Sequence, residues 1–281
     1  MLVKDAMHPQ AVTIHPHRSL PDAVVTMRTL DVNRLPVVMD GELVGLLTQA
    51  EVVRNLPPLH DGLSPWEFTY RAGMVRVSEV MCRPVLTVLE ESALEDAVRV
   101  MLDRRVGGLP VLNDDGVLVG MLTRGDVLQA LLGARAEAWG VVDLHMSSPA
   151  ITVTPDLPVR DAAARLRITK LRVLPVVHDG RLEGVLHEMD LHAALERASS
   201  GHGETLLGER FFLEGLRVAD LMRHESVGVH GGMSLRDAVV AMRRAGVYGL
   251  PVTDDAGRLL GVLTVSDVLR ALLGQLKVHP A

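Results

Sequence analysis

Apolar residues recur at i, i+3, i+4 and i+7 in four separate stretches: Leu20, Ala23, Val24, Met27; Leu94, Ala97, Val98, Met101; Val159, Ala162, Ala163, Leu166; and Leu235, Ala238, Val239, Met242. Each predicts a helix with a single buried stripe. Each helix is followed by two short β-rich runs, joined by "DG" at 40–41, "DDG" at 114–116, "DG" at 179–180 and "DDAG" at 254–257. These are hairpin-turn sequences. The second run ends in "LLTQAE", "MLTRGD", "VLHEMD" or "VLTVSD", after which an apolar run resumes and predicts a second helix. Every unit therefore reads strand, helix, strand, strand, helix in about 55 residues, a size too small to be comfortable alone.

The units are copies of one another. A methionine recurs at 7, 81, 146 and 222, and a proline follows each by 29 residues, at 36, 110, 175 and 251. A longer period lies above this one: Met7 to Met146 spans 139 residues and Met81 to Met222 spans 141, so the duplicated object is a pair of units. Five of the seven aromatic residues, Trp66, Phe68, Tyr70, Phe211 and Phe212, fall in two linkers, where they are expected to run across a module surface or joint.

The Met-x-x-Pro opening (Met81 to Pro84, for example), the Leu-Pro-Val strand and the Gly-h-h-Thr-x-x-Asp ending, with h an apolar residue, resemble the cystathionine-beta-synthase (CBS) domain, and a pair of units resembles a Bateman module. The resemblance implies an α+β fold of four CBS repeats (β-α-β-β-α), with domains at 1–56, 74–134, 141–197 and 215–275. They would pair into modules 1–134 and 141–275, packed as a disc. It also implies a regulatory, non-catalytic protein that binds an adenosyl nucleotide, AMP, ADP or ATP, in clefts between paired domains.

The Thr-x-x-Asp element admits two readings. Structurally it is a capping box, in which the Thr oxygen accepts a helix N–H and the Asp reaches back. Chemically, a helix start offers free N–H groups and a positive dipole end to an anion, and a carboxylate beside it accepts ribose hydroxyls. The four copies differ. Unit 2 carries Thr123, Arg124 and Asp126, and unit 4 carries Thr264, Ser266 and Asp267; unit 1 has Thr48 with Glu51, a longer carboxylate, and unit 3 has His187 with Asp190. Before the strand proline, units 1 and 3 carry Arg34 and Arg172 where units 2 and 4 carry Gly108 and Gly249. In the family such basic residues contact phosphate, and a site takes its base wall from one unit and its ribose carboxylate from the partner. By that match Val12, Val32, Arg34, Thr123, Arg124 and Asp126 form the nucleotide site of the first module. Ile151, Leu171, Arg172, Thr264, Ser266 and Asp267 form that of the second, and the sites with Thr48, Glu51, His187 and Asp190 are degenerate.

Composition narrows the alternatives. The 281-residue chain is 48% hydrophobic and 23% charged, with no apolar run near the roughly 20 residues of a membrane span, and its first residues lack a signal-peptide core. A cytoplasmic protein is expected. Net charge is −6 and dispersed, and aromatics make up 2%, so neither nucleic acid nor a membrane is an expected partner. The single cysteine, Cys82, lies in an apolar segment and is expected to be a buried, inert thiol. His187, Glu188 and His192 share one helical stretch and lack the geometry for a metal site. No G-x-S-x-G, P-loop or Cys/His constellation points to an enzyme. No cofactor is expected. The competing functions are an S-adenosyl-compound binding module and a ligand-free interaction scaffold, and the regulated partner is another chain or a second copy in a homodimer.

Overall fold

The computed structural model describes residues 1–55, 71, 73–133, 139–191, 194, 215–224 and 228–276. The linker aromatics Trp66, Phe68, Tyr70, Phe211 and Phe212, and His192, lie outside the described residues. The chain divides into two compact units, Met1–Leu131 and Leu132–Ala281, each holding two repeats.

In the first, a 3-10 turn at Val3–Asp5 leads to β1 (His8–Pro9), α1 (Leu20–Thr29), β2 (Arg34–Met39), β3 (Glu42–Thr48) and α2 (Gln49–Asn55); α3 (Val77–Val80), β4 (Val88–Leu89), α4 (Leu94–Asp103), β5 (Gly108–Leu112), β6 (Leu118–Thr123) and α5 (Arg124–Gly133) follow. The second repeats this order with a 3-10 turn at Val142–Leu144, α6 (Val159–Thr169), β7 (Val173–His178), β8 (Arg181–His187), α7 (Val218–Leu221), β9 (Val229–His230), α8 (Leu235–Ala245), β10 (Gly249–Thr253), β11 (Leu259–Thr264) and α9 (Val265–Leu276).

The local rules explain these elements. Ser19 and Ser234 each accept a hydrogen bond from the backbone three residues on, at Asp22 and Asp237, and so cap α1 and α8. The predicted stripes are the buried faces: Leu94, Ala97, Val98 and Met101 on α4 and Leu235, Ala238, Val239 and Met242 on α8 are all buried. At both "DG" turns the two central residues have positive φ, 51° and 86° at Asp40 and Gly41, 49° and 77° at Asp179 and Gly180. That backbone matches the twist of a two-residue hairpin.

The first strand of each repeat is divided between two sheets. Its second half stays at home, pairing in parallel with its own repeat through Ile14 and Val37, β4 and β5, Val153 and Val176, and β9 and β10. Its first half crosses over. His8 pairs with Met121, Cys82 with Leu46, Ser147 with Val262 and Arg223 with Val185, each two residues before the partner repeat's motif position. The repeat methionine travels with this segment and lies against a bare glycine on the partner: Met7 on Gly120, Met81 on Gly45, Met146 on Gly261 and Met222 on Gly184. This exchange is why a repeat too small to close its own core occurs in pairs.

Cys82 departs from expectation: it is exposed. Its N–H and C=O both bond to Leu46, so the backbone is tied into the ladder while the side chain faces outward. No helix among the described residues is long and apolar enough to cross a membrane.

Candidate functional site

All four motifs lie where a strand hands over to a helix, and their register is shared. Arg34 pairs with Thr48 in the β2–β3 ladder, Gly108 with Thr123, Val173 with His187 and Gly249 with Thr264. In the two intact copies the threonine and aspartate bond reciprocally. Thr123 N and Oγ1 donate to Asp126 Oδ2 at 2.8 and 2.7 Å, and Asp126 N donates to Thr123 Oγ1 at 3.3 Å. Thr264 and Asp267 do the same at 2.8, 2.6 and 3.4 Å. The capping box is real, and it uses only one carboxylate oxygen of each aspartate.

What meets the second oxygen differs. Among the described residues, the Asp126 carboxylate accepts its hydrogen bonds on Oδ2. Asp267, 4% exposed, receives Ser147 Oγ and an Arg270 guanidinium nitrogen on Oδ1, both at 3.0 Å. Asp190, 8% exposed, accepts His187 N on Oδ2 at 2.8 Å and Arg223 Nε on Oδ1 at 2.7 Å. In unit 1, Thr48 Oγ1 donates to Glu51 Oε2, so the longer side chain folds back onto the threonine.

His187 is itself buried, and its imidazole cannot give the carboxylate the hydroxyl that threonine gives in the other copies. Burial lowers its pKa from 6.5 to about 4; Asp190 opposes the shift and Arg223 adds to it. In the second module the residue following the repeat methionine, Ser147 or Arg223, which sequence reasoning passed over, thus meets the partner's motif aspartate. Only its constant distance from the methionine could have marked it.

The two arginines do not occupy equivalent positions. Arg34 is two residues before Pro36, whereas Arg172 is three before Pro175, and Val173 holds the register that Arg34 holds in unit 1. A one-residue offset in a strand reverses the face a side chain takes. Arg34 runs across to unit 2: a Cβ built on Gly108 would lie 3.6 Å from Arg34 Cδ, 3.5 Å from Thr123 Cγ2 and 3.1 Å from Leu122 O. Gly108 leaves room for this approach, and Arg34 is thereby brought to the Asp126 motif. Arg172 is engaged otherwise, stacked 4.7 Å over the Tyr248 ring and 3.8 Å from Glu188. Gly249 instead faces Val173, whose Cγ1 would be 2.9 Å from a Cβ there.

The expected base-wall residues divide similarly. Val12 and Val32 both pack against the core that holds Ile14, Leu35 and Val37. Leu171 packs against the corresponding core of unit 3, whereas Ile151 is 44% exposed. Arg124 sends one guanidinium nitrogen to Met101 O at 3.1 Å, back into its own repeat, and Ser266 is half-buried. No group of three or more His, Cys, Asp or Glu among the described residues could hold a metal ion. A cavity of about 830 Å³ between Asp40–Val44, Arg83–Val85 and Asp115–Val117 lies at the hairpin end of these strands, away from the motif carboxylates.

Comparison with known proteins agrees with the repeat count. The CBS domain family model matches residues 3–58, 77–133, 141–197 and 218–274. Protein MJ1225 of Methanocaldococcus jannaschii is 28% identical over 280 residues, 96% of this chain and 98% of its own length. Its crystal structure, described as that of a proposed archaeal homologue of the AMPK gamma subunit, superposes with a TM-score of 0.78, covering 96% of this chain and 99% of that one at 27% identity. A conserved protein from Pyrococcus horikoshii shares the fold, with a TM-score of 0.68 at 22% identity, covering 97% of this chain and all of that one. The human 5'-AMP-activated protein kinase subunit gamma-3 is 25% identical over 264 residues, 93% of this chain and 40% of its own length.

Proposed function

Because the chain belongs to the CBS domain family, with four such domains in tandem, we propose that it is a non-catalytic regulatory protein that binds an adenine nucleotide between paired repeats. Binding changes its shape or its affinity for a protein partner. AMP is the first ligand to test, since the MJ1225 structure is described as that of a proposed AMPK gamma homologue and the human gamma-3 relative is a subunit of the 5'-AMP-activated kinase. The observation that carries the reading is the convergence on Gly108: Arg34 from unit 1 meets Thr123 of unit 2 there, three residues before Asp126.

The chemistry follows from that arrangement. Asp126 Oδ1 accepts the ribose hydroxyls while Oδ2 keeps the helix cap. The Arg34 guanidinium faces a phosphate, the start of α5 adds its dipole, and the wall of Val12 and Val32 takes the flat purine against aliphatic surface. In the second module Ile151, Leu171, Thr264, Ser266 and Asp267 form a related site with Arg172 at its margin. The sites with Thr48 and Glu51 and with His187 and Asp190 are the weaker pair.

Thermal melting with AMP, ADP, ATP and S-adenosylmethionine tests this. A ligand at 100 times its Kd stabilises the native state by about 2.7 kcal/mol. Asp126→Asn retains a capping side chain, so its stability stays close to wild type while AMP affinity falls at least tenfold. A chain that no adenosyl compound stabilises is a scaffold instead, and nucleotide turnover abolished by Asp126→Asn would make it an enzyme.

A further inference from the structure

We propose that Arg223 closes the Asp190 cleft to a ribose by occupying the carboxylate that a diol would need, so that in the second module the residue one past the repeat methionine sets which cleft takes a nucleoside. The proposal rests on the adenine-nucleotide reading above and deepens it.

Ser147 and Arg223 are counterparts within one module. Ser147 bridges to Val262 and Arg223 to Val185, the same step of two related ladders, and each side chain reaches Oδ1 of the partner repeat's motif aspartate, at 3.0 and 2.7 Å. The chemistry at that point differs. A serine hydroxyl both donates and accepts, so it can turn from the carboxylate to an incoming ribose hydroxyl and remain satisfied. Arg270, which also reaches Asp267 Oδ1 at 3.0 Å, lies three residues along the same helix with its side chain 67% exposed, and swings into water more readily than Arg223, which is 41% exposed and bonds at 2.7 Å. A guanidinium only donates, and separating it from Asp190 breaks a charge-assisted bond at a carboxylate that is 8% exposed.

His187 makes the substitution self-consistent. The copies with threonine supply a hydroxyl to the motif carboxylate; unit 3 supplies none, and Arg223 takes up the remaining acceptor oxygen. Asp190 then has His187 N on one oxygen and Arg223 Nε on the other, and two neutral hydroxyl bonds do not compensate for displacing the ion pair. The unit carries the aspartate of a ribose site, and both its carboxylate oxygens are already taken by the protein's own groups.

The test is calorimetric titration of the full chain with AMP, and in a parallel series with S-adenosylmethionine, which carries the same diol. Arg223→Ser, which installs the residue found at 147, should bind one more equivalent than wild type, and adding Asp190→Asn should remove that equivalent. Circular dichroism melting confirms that each variant is folded, and Arg223→Gln carries the same test if the serine variant melts too low. Equal stoichiometry for wild type and a folded Arg223 variant, with binding in both, overturns this inference and leaves the proposed function standing. Binding by the variant alone supports the inference and overturns nucleotide binding for the native chain. Binding by neither overturns both.

Discussion

Gly120 and His8, 112 positions apart, are in closer contact than any side chain would permit: a Cβ on Gly120 would stand 2.6 Å from the His8 carbonyl oxygen and 3.0 Å from Met7 Sδ. This is where the opening of one repeat lies on the strand of the next, and three other glycines, at 45, 184 and 261, receive the other three methionines.

Substitution at these glycines should separate rigid from yielding contacts. Gly120→Ala collides with backbone and is expected to destabilise the chain by about 2 to 3 kcal/mol, at the upper end for overpacking. The three atoms nearest a Cβ on Gly45 all belong to the Met81 side chain, and a methionine re-orients readily, so the cost of Gly45→Ala should be about 1 kcal/mol or less. Urea denaturation of the two variants measures the difference; equal costs would mean that Met81 is held as firmly as the His8 backbone.

The buried His187 makes stability depend on pH. Its folded-state pKa is depressed to about 4 from an ordinary 6.5, so at neutral pH the imidazole is uncharged in both states and there is no penalty. Between pH 6.5 and 4 the unfolded chain takes up a proton that the folded chain refuses, and stability falls with pH by about 3 kcal/mol before levelling off. His187→Thr should remove that slope, read from melting temperatures across the interval. A slope unchanged in the variant would assign it to other groups.

Arg34 and Arg172 should behave differently under the same truncation. Arg34→Ala removes a guanidinium beside the Asp126 motif and is expected to weaken AMP binding in the first module ten- to a hundredfold, the value of one charge-assisted contact. Arg172→Ala releases Glu188 and the Tyr248 ring, so its main effect should be a loss of stability of about 0.5 to 1 kcal/mol with little change in affinity. Calorimetry and melting on the two single variants check both halves.

The repeat, its helices and its turns could be read from the chain because each depends on residues a few positions apart. The stripe Leu94, Ala97, Val98 and Met101, the Asp40–Gly41 turn and the Thr264–Asp267 cap are all local, and the structure holds them as their spacing implied. The duplication by pairs was also legible, since Met7, Met81, Met146 and Met222 mark it directly. What faces each motif carboxylate was not. Ser147 meets Asp267 across 120 residues and Arg223 meets Asp190 across 33, through a strand that crosses between repeats, and no periodicity records which segment crosses. The exposure of Cys82 has the same origin. In an extended segment neighbouring side chains face opposite ways, so only the register of the ladder decides which of them enters a cleft and which faces solvent.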